Sequence, residues 1–185
     1  SLALSPSPIT NETGINRARE GAPLPLREIA LFAGAGGGLL ASQLLGIRTV
    51  CAVEIDPYRA SVLRQRQRDG WLDPFPVLHD VRTFRGRNWT GRAELISAGF
   101  PCADVSQAGE RNGIDGEDTG LWREAWRIAR EVQPKYLYLE NVPGVLVGGL
   151  GSLLGALAEE RWAAEWICLS AAQLGAPHRR DRWWL

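Results

Sequence analysis

The sequence predicts an α/β fold, a mostly parallel sheet of seven strands with helices on both faces and an antiparallel C-terminal hairpin at one edge. Three observations carry this expectation. From Ile29 onward, short apolar runs alternate with helical stretches, the pattern of repeated strand–helix–strand units. A glycine-rich turn, Ala33-Gly34-Ala35-Gly36-Gly37-Gly38, separates the first strand from the first helix. The last two apolar runs are joined by a turn at Gly175-Ala176-Pro177, with no room for the crossover helix that parallel strands need.

The elements follow in order. Residues 1–28 carry prolines at 6, 8, 23 and 25 among Ser, Thr and Asn, and read as a flexible arm or remnant. The chain starts at Ser1 and contains no methionine, which suggests processing or a piece of something longer. The regular domain is expected over 29–185. Its first strand is Ile29–Phe32, its first helix Leu39–Leu45, closed by Gly46, and its second strand Thr49–Val53. A helix rich in arginine covers Tyr58–Asp69, and Pro76–Leu78 is a weak third strand. Glu94–Ala98 is the fourth strand, a buried apolar run. Leu121–Val132 is a helix whose Leu121, Trp122, Ala125, Ile128, Ala129 and Val132 share one face, with Thr119 as its expected cap. Tyr136–Leu139 is the fifth strand, Gly151–Arg161 a helix, Glu165–Leu169 the sixth strand and Arg182–Leu185 the seventh.

Composition sets bounds. Lys+Arg and Asp+Glu both number 21, so bulk charge points to no particular partner, although every basic residue except Lys135 is arginine. Arginine is the better fork for phosphates and base edges. Arg59, Arg64, Arg66 and Arg68 share one helix, and Arg179, Arg180 and Arg182 cluster near the C-terminus. Cys51, Cys102 and Cys168 are odd in number and far apart, which suggests neither a disulfide framework nor a metal site. No apolar run approaches the roughly eighteen residues that span a membrane, and no secretory signal pattern opens the chain. A reducing, cytoplasmic setting is expected.

Several residues stand at strand ends, where open α/β sheets place their chemistry. Gly34, Gly36 and Gly37 follow strand one, and Glu54 ends strand two; such a loop lets a cofactor approach the backbone while the carboxylate holds ribose hydroxyls. Nicotinamide, flavin and S-adenosylmethionine binders all share this pattern. Asp80 ends strand three and suits an adenine amino group. Cys102 follows strand four behind Pro101, which fixes the turn that presents the thiol. Glu140 ends strand five, followed by Asn141 and Pro143. Alternation in the last strand is expected to set Arg180 and Arg182 on one side, with Asp181 opposite. Taken singly, each has a plain structural reading: a tight turn, a buried thiol, a loop acid, a salt-bridged edge.

Together these residues resemble the catalytic core of DNA (cytosine-5)-methyltransferases. Phe32-Ala33-Gly34-Ala35-Gly36-Gly37 matches the first cofactor motif, Glu54-Ile55-Asp56 the second and Asp80-Val81 the third. Gly99-Phe100-Pro101-Cys102 with Ser106 is similar to the nucleophile motif, Glu140-Asn141-Val142 to the glutamate motif, and Gly175-Ala176-Pro177-His178 with Arg180 and Arg182 to the arginine motif. The resemblance implies a Rossmann-like S-adenosylmethionine-dependent methyltransferase fold acting on double-stranded DNA. It implies Cys102, Glu140, Arg180 and Arg182 as catalytic residues. Phe32, Ala33, Gly34, Gly36, Gly37, Glu54, Ile55, Asp80, Val81, Pro101 and Leu121 are implied cofactor contacts, with S-adenosylhomocysteine as product. Ser106, Asn141 and the loop 108–120 are implied at the DNA, and the target cytosine must be flipped out of the duplex.

The chain also departs from the family. Ala103 stands where glutamine usually follows the cysteine, and His178 where glutamine is common. The target-recognition domain and last two motifs are missing, which suggests a second chain or a longer parent protein. The rival readings are a cofactor- or DNA-binding module without catalysis, and a nicotinamide-dependent oxidoreductase, which leaves Cys102, Glu140 and the arginines idle.

Overall fold

The computed structural model describes residues 25–101 and 121–185. Cys102, Ser106, the loop 108–120 with Thr119, and residues 1–24 lie outside the described residues. The strands are β1 (Arg27–Leu31), β2 (Arg48–Val53), β3 (Val77–Leu78), β4 (Leu95–Gly99), β5 (Tyr136–Asn141), β6 (Ile167–Ser170) and β7 (Asp181–Trp184). They form one sheet in the order β3-β2-β1-β4-β5-β7-β6. β1 to β5 are parallel throughout, and β7 runs antiparallel between β5 and β6. The expected hairpin is therefore β6–β7, with β7 as its inner strand.

The helices are α1 (Gly37–Leu44), α2 (Pro57–Arg68), α3 (Trp122–Val132), α4 (Val145–Gly148) and α5 (Leu150–Glu159). Leu39 of α1 and Leu63 of α2 bury against Ala30 and Ala52 on one face of the sheet. Ile128 and Val132 of α3 and Leu153 and Leu157 of α5 join Ile29, Ile96 and Leu139 on the other. Alternation explains the division: Ile29 and Ala30 are neighbours in sequence and belong to different cores. The buried set of α3, Trp122, Ala125, Ile128, Ala129 and Val132, is the stripe that its sequence spacing predicts.

Most element ends shift by one or two residues from expectation, and three of the starts bear on the site. β1 begins at Arg27, because Glu94 binds Arg27 and because buried Glu28 accepts hydrogen bonds from Thr49 Oγ1 at 2.9 Å and Ser97 Oγ at 2.6 Å. Two polar residues thus extend a strand that hydropathy would end at Ile29. β7 begins at Asp181, and Arg180 lies before it with φ of 44°. The alternation expected for Arg180 and Arg182 therefore does not hold. α3 starts at Trp122 with Leu121 in the cap position and no side-chain cap. No helix among the described residues is long and apolar enough to cross a membrane.

Candidate active site at the carboxyl edge of the sheet

β1 is flanked by β2 on one side and β4 on the other, so the direction of winding reverses at β1. Crevices at such reversals lie outside the carboxyl ends of the strands. Phe32, Glu54, Asp80, Phe100 and Glu140 all stand at or beside those ends, delivered by β1 to β5.

Phe32 leaves β1 with φ of 55°, the left-handed region that a bulky residue rarely adopts. The glycine loop follows, with Gly34 at φ 58° and Gly36 at φ 90°. Gly36 also has no room for a side chain, since a Cβ there would sit 2.7 Å from Leu63 Cδ2 of α2. Arg66, one turn further along α2, donates through Nη1 to the Ala35 carbonyl. The loop is therefore seated on α2, on backbone angles that favour glycine.

Glu54 is 4% exposed. Its Oε2 accepts the Gly34 N–H at 2.6 Å and its Oε1 the Asp56 N–H at 2.9 Å. It braces the loop from below. A carboxylate offers about four lone-pair sites, so two remain for ribose hydroxyls. Ile55 is exposed beside it. Asp80 accepts the Arg82 N–H at 2.9 Å and pairs with its guanidinium at 2.8 Å. The hydrogen bonds from Arg82 hold the Asp80 carboxyl below its ordinary range, so it stays an acceptor. Val81 is buried, and Leu121 half-buried at the start of α3. A cradle of acids and apolar side chains beside the uncapped N-terminus of α1, with open space over Gly37 and Gly38, fits an adenosyl group with an amino-acid tail.

The second half of the crevice lies over β4 and β5. Glu140 pairs with Arg182 of β7, Oε1 to Nε at 2.7 Å, both side chains about a quarter exposed. Gly99 lies opposite Glu140 in the register. A Cβ on Gly99 would come within 3.0 Å of Glu140 Oε2, so the first glycine of the nucleophile motif makes room for the carboxylate. Asn141, expected at the DNA, is buried: its Nδ2 donates to the Phe100 carbonyl at 3.3 Å, and its Oδ1 accepts the Val142 N–H at 2.8 Å. What it does here is tie β5 to the turn that leads into Cys102. Pro101 is exposed at that turn. Arg180 is exposed before β7. Of the two expected arginines, the one whose side chain meets Glu140 is Arg182.

The mostly parallel seven-stranded sheet with its antiparallel C-terminal hairpin is the fold expected of the resembled family, and comparison with known proteins agrees. The sequence profile of C-5 cytosine-specific DNA methylases matches residues 26–185. The chain belongs to this family. It is 32% identical to the type II methyltransferase M.CviJI of Paramecium bursaria Chlorella virus IL3A, an alignment covering 86% of the chain and 42% of that protein. It is 33% identical to M.NgoMIV of Neisseria gonorrhoeae, over 83% of the chain and 49% of that protein. The crystal structure of the S. pombe Dnmt2 methyltransferase shares the fold, with a TM-score of 0.68 and 23% identity over 86% of this chain and 49% of that one. The chain thus spans about half the length of these relatives.

Sequence reasoning missed Glu28, Arg66, Arg127 and the structural part played by Asn141. The contacts that matter reach other elements, and the local spacing of Glu124, Arg127 and Glu131 on α3 shows only the ion pairs within that helix. The other cysteines differ in kind from a reactive thiol or sit apart: burial pushes the Cys51 thiol up to about 12, and Cys168 is exposed on the hairpin.

Proposed function

We propose that this chain is the catalytic and cofactor-binding core of a DNA (cytosine-5)-methyltransferase, acting on a cytosine flipped out of double-stranded DNA. The observation that supports the reading most directly is the Glu140–Arg182 pair seated over Gly99, at the strand end that runs into Cys102. Glu54, Asp80, Phe32, Val81, Leu121 and the glycine loop with Ala33 are the residues that would hold S-adenosylmethionine. Once bound, that group supplies an electrophilic methyl on a sulfonium and leaves as S-adenosylhomocysteine.

The chain's own residues supply the rest. C5 of cytosine is a poor nucleophile. The thiolate of Cys102 adds to C6, which gives C5 the character of an enamine carbon. Glu140 binds the N3 and N4 edge as charge develops there, oriented by Arg182. Arg182 and Arg180 lie near enough in sequence to steady O2 of the base and the thiolate, since cations favour the charged sulfur. After C5 has taken the methyl, solvent water takes the C5 proton, the C5–C6 double bond re-forms and the C6–S bond breaks, returning its electron pair to sulfur as the Cys102 thiolate. Ser106 and the loop 108–120 are the proposed contacts to the DNA backbone, with Pro101 at the cofactor side. Asn141 acts through Phe100. Target recognition and the remaining motifs are proposed to lie in further polypeptide, either a second chain or more of the same protein. Cytoplasmic DNA is the substrate such an enzyme meets.

The test uses the native protein with whatever subunit co-purifies. On duplex DNA containing 5-fluorocytosine, the expected result is a covalent adduct at Cys102 that Cys102→Ala abolishes. Glu140→Gln is expected to lower transfer by about 10²-fold or more, the usual loss for a proton-handling group. Binding of S-adenosylhomocysteine with no adduct and no transfer would favour the non-catalytic module. Binding of NAD in its place would overturn the family chemistry altogether.

A further inference from the structure

The segment between β3 and β4 runs along α3, where Arg127 and Glu131 of the helix and Thr90 of the segment fasten it. Arg127 Nη2 donates to the Val81 carbonyl at 2.9 Å, and Nη1 to the Phe84 carbonyl at 3.1 Å. The same guanidinium is held by two carboxylates of its own helix: Nε to Glu124 Oε2 at 2.9 Å and Nη1 to Glu131 Oε1 at 2.8 Å. Glu131 turns its other oxygen to the segment and accepts the Gly86 N–H at 2.7 Å. Gly86 is pressed against the helix so closely that a Cβ would lie 2.8 Å from Glu131 Cβ and 3.1 Å from the Ile128 carbonyl. A planar fork with donors in several directions can hold two carbonyls and two carboxylates at once; a lysine ammonium on a flexible stem cannot.

Two residues of the cofactor cradle stand on the pieces so joined. Asp80 immediately precedes Val81, and Leu121 immediately precedes α3. They come from different elements, far apart in sequence. We propose that Arg127 is a positioning residue for the cofactor pocket, fixing Asp80 and Leu121 as parts of one wall by holding the segment after β3 against α3. This rests on the cofactor reading above. Without the clamp, the segment must be ordered when the ligand binds, and that ordering is subtracted from affinity. The loss falls on binding of the adenosine end and not on chemistry at the cytosine.

The test compares Arg127→Met, Arg127→Lys and Gly86→Ala in the native protein, with Ile128→Val as a control. Gly86→Ala lifts the same segment while leaving Arg127 intact, so it decides the matter if Arg127→Met does not fold. Ile128→Val thins the core under the same helix and touches neither carbonyl. Affinity for S-adenosylhomocysteine is expected to fall about tenfold in Arg127→Met and Gly86→Ala, an order set by the ordering cost, with partial recovery in Arg127→Lys. KM for S-adenosylmethionine rises while kcat at saturation is kept. Amide exchange of residues 81–86 quickens in the cofactor-free protein. Ile128→Val lowers Tm and leaves affinity within about twofold, which separates positioning from general stability. Unchanged exchange in Arg127→Met, or equal weakening by Ile128→Val, overturns the clamp alone. A wild-type protein that binds no S-adenosylhomocysteine overturns the cofactor reading and this inference with it.

Discussion

At the scale of single residues, the site depends on what is left out as much as on what is present. Gly99 has no side chain because the Glu140 carboxylate occupies the place a Cβ would need, 3.0 Å from Oε2. Gly99→Ala leaves the backbone unstrained, since no positive φ is required there, and displaces the Glu140 carboxylate by a few tenths of an ångström. Transfer is expected to fall by roughly threefold to tenfold, less than the ~10²-fold that a misplacement of a full ångström can cost. Tm should hardly move, and a thermal melt beside the methyl-transfer assay checks both. A large drop in Tm would show instead that Gly99 serves packing. Asn141 illustrates the same point from the polar side. The residue is 3% exposed, and its amide donates to the Phe100 carbonyl and accepts from the Val142 N–H, which ties the end of β5 to Phe100.

Elements carry these residues to their places, and the loop after β1 is the clearest case. Gly36 has φ of 90° and abuts Leu63, whose helix also sends Arg66 to Ala35. Gly36→Ala must take up both a disfavoured backbone angle and a close contact with the end of a leucine side chain. The expected cost is about 1–3 kcal/mol. A denaturant midpoint measures it, and a weaker affinity for S-adenosylhomocysteine should accompany it. An unchanged midpoint and affinity would mean that the loop is free to reseat. The faces of α3 were legible in sequence because burial follows the 3.6-residue period, and the strands because short apolar runs lie between turn residues. The starts of β1 and β7 were not. Arg27 and Glu28 are polar, and their partners are Glu94 just before β4 and Thr49 and Ser97 on the neighbouring strands. Arg180 is held outside β7 by a backbone angle that alternation does not foresee.

At the scale of the whole molecule, a link with a definite pH signature joins the first residue of β1 to the entry of β4. Arg27 donates to Glu94 from its backbone N–H at 2.9 Å and from its guanidinium at 2.5 Å. The side-chain hydrogen bonds from Arg27 hold the Glu94 carboxyl down to about 2, against an ordinary value of 4.5. A carboxyl whose folded pKa is depressed contributes stability that is fully present above its unfolded pKa and is lost as pH falls through the folded one. The loss therefore runs from about pH 4.5 to about pH 2. Glu94→Gln is expected to lower stability at pH 7 and to flatten the stability profile in that window. Chemical denaturation at pH 6, 4 and 3 checks this, and a variant with the wild-type slope there would rule the pair out as a source of acid sensitivity.

The sequence by itself determined the class of fold, the succession of strands and helices, and which strand ends carry Glu54, Asp80, Glu140 and the approach to Cys102, because these depend on local periodicity and on residue types at turns. The tertiary structure decided which groups meet. It brought Arg182 onto Glu140 across β5 and β7, put Glu140 over Gly99, turned Asn141 inward to Phe100 and joined Arg127 to Val81 and Phe84. Each of these contacts spans residues far apart in the chain or in adjacent strands. Register and packing fix such contacts, and neither is written in any single stretch of residues.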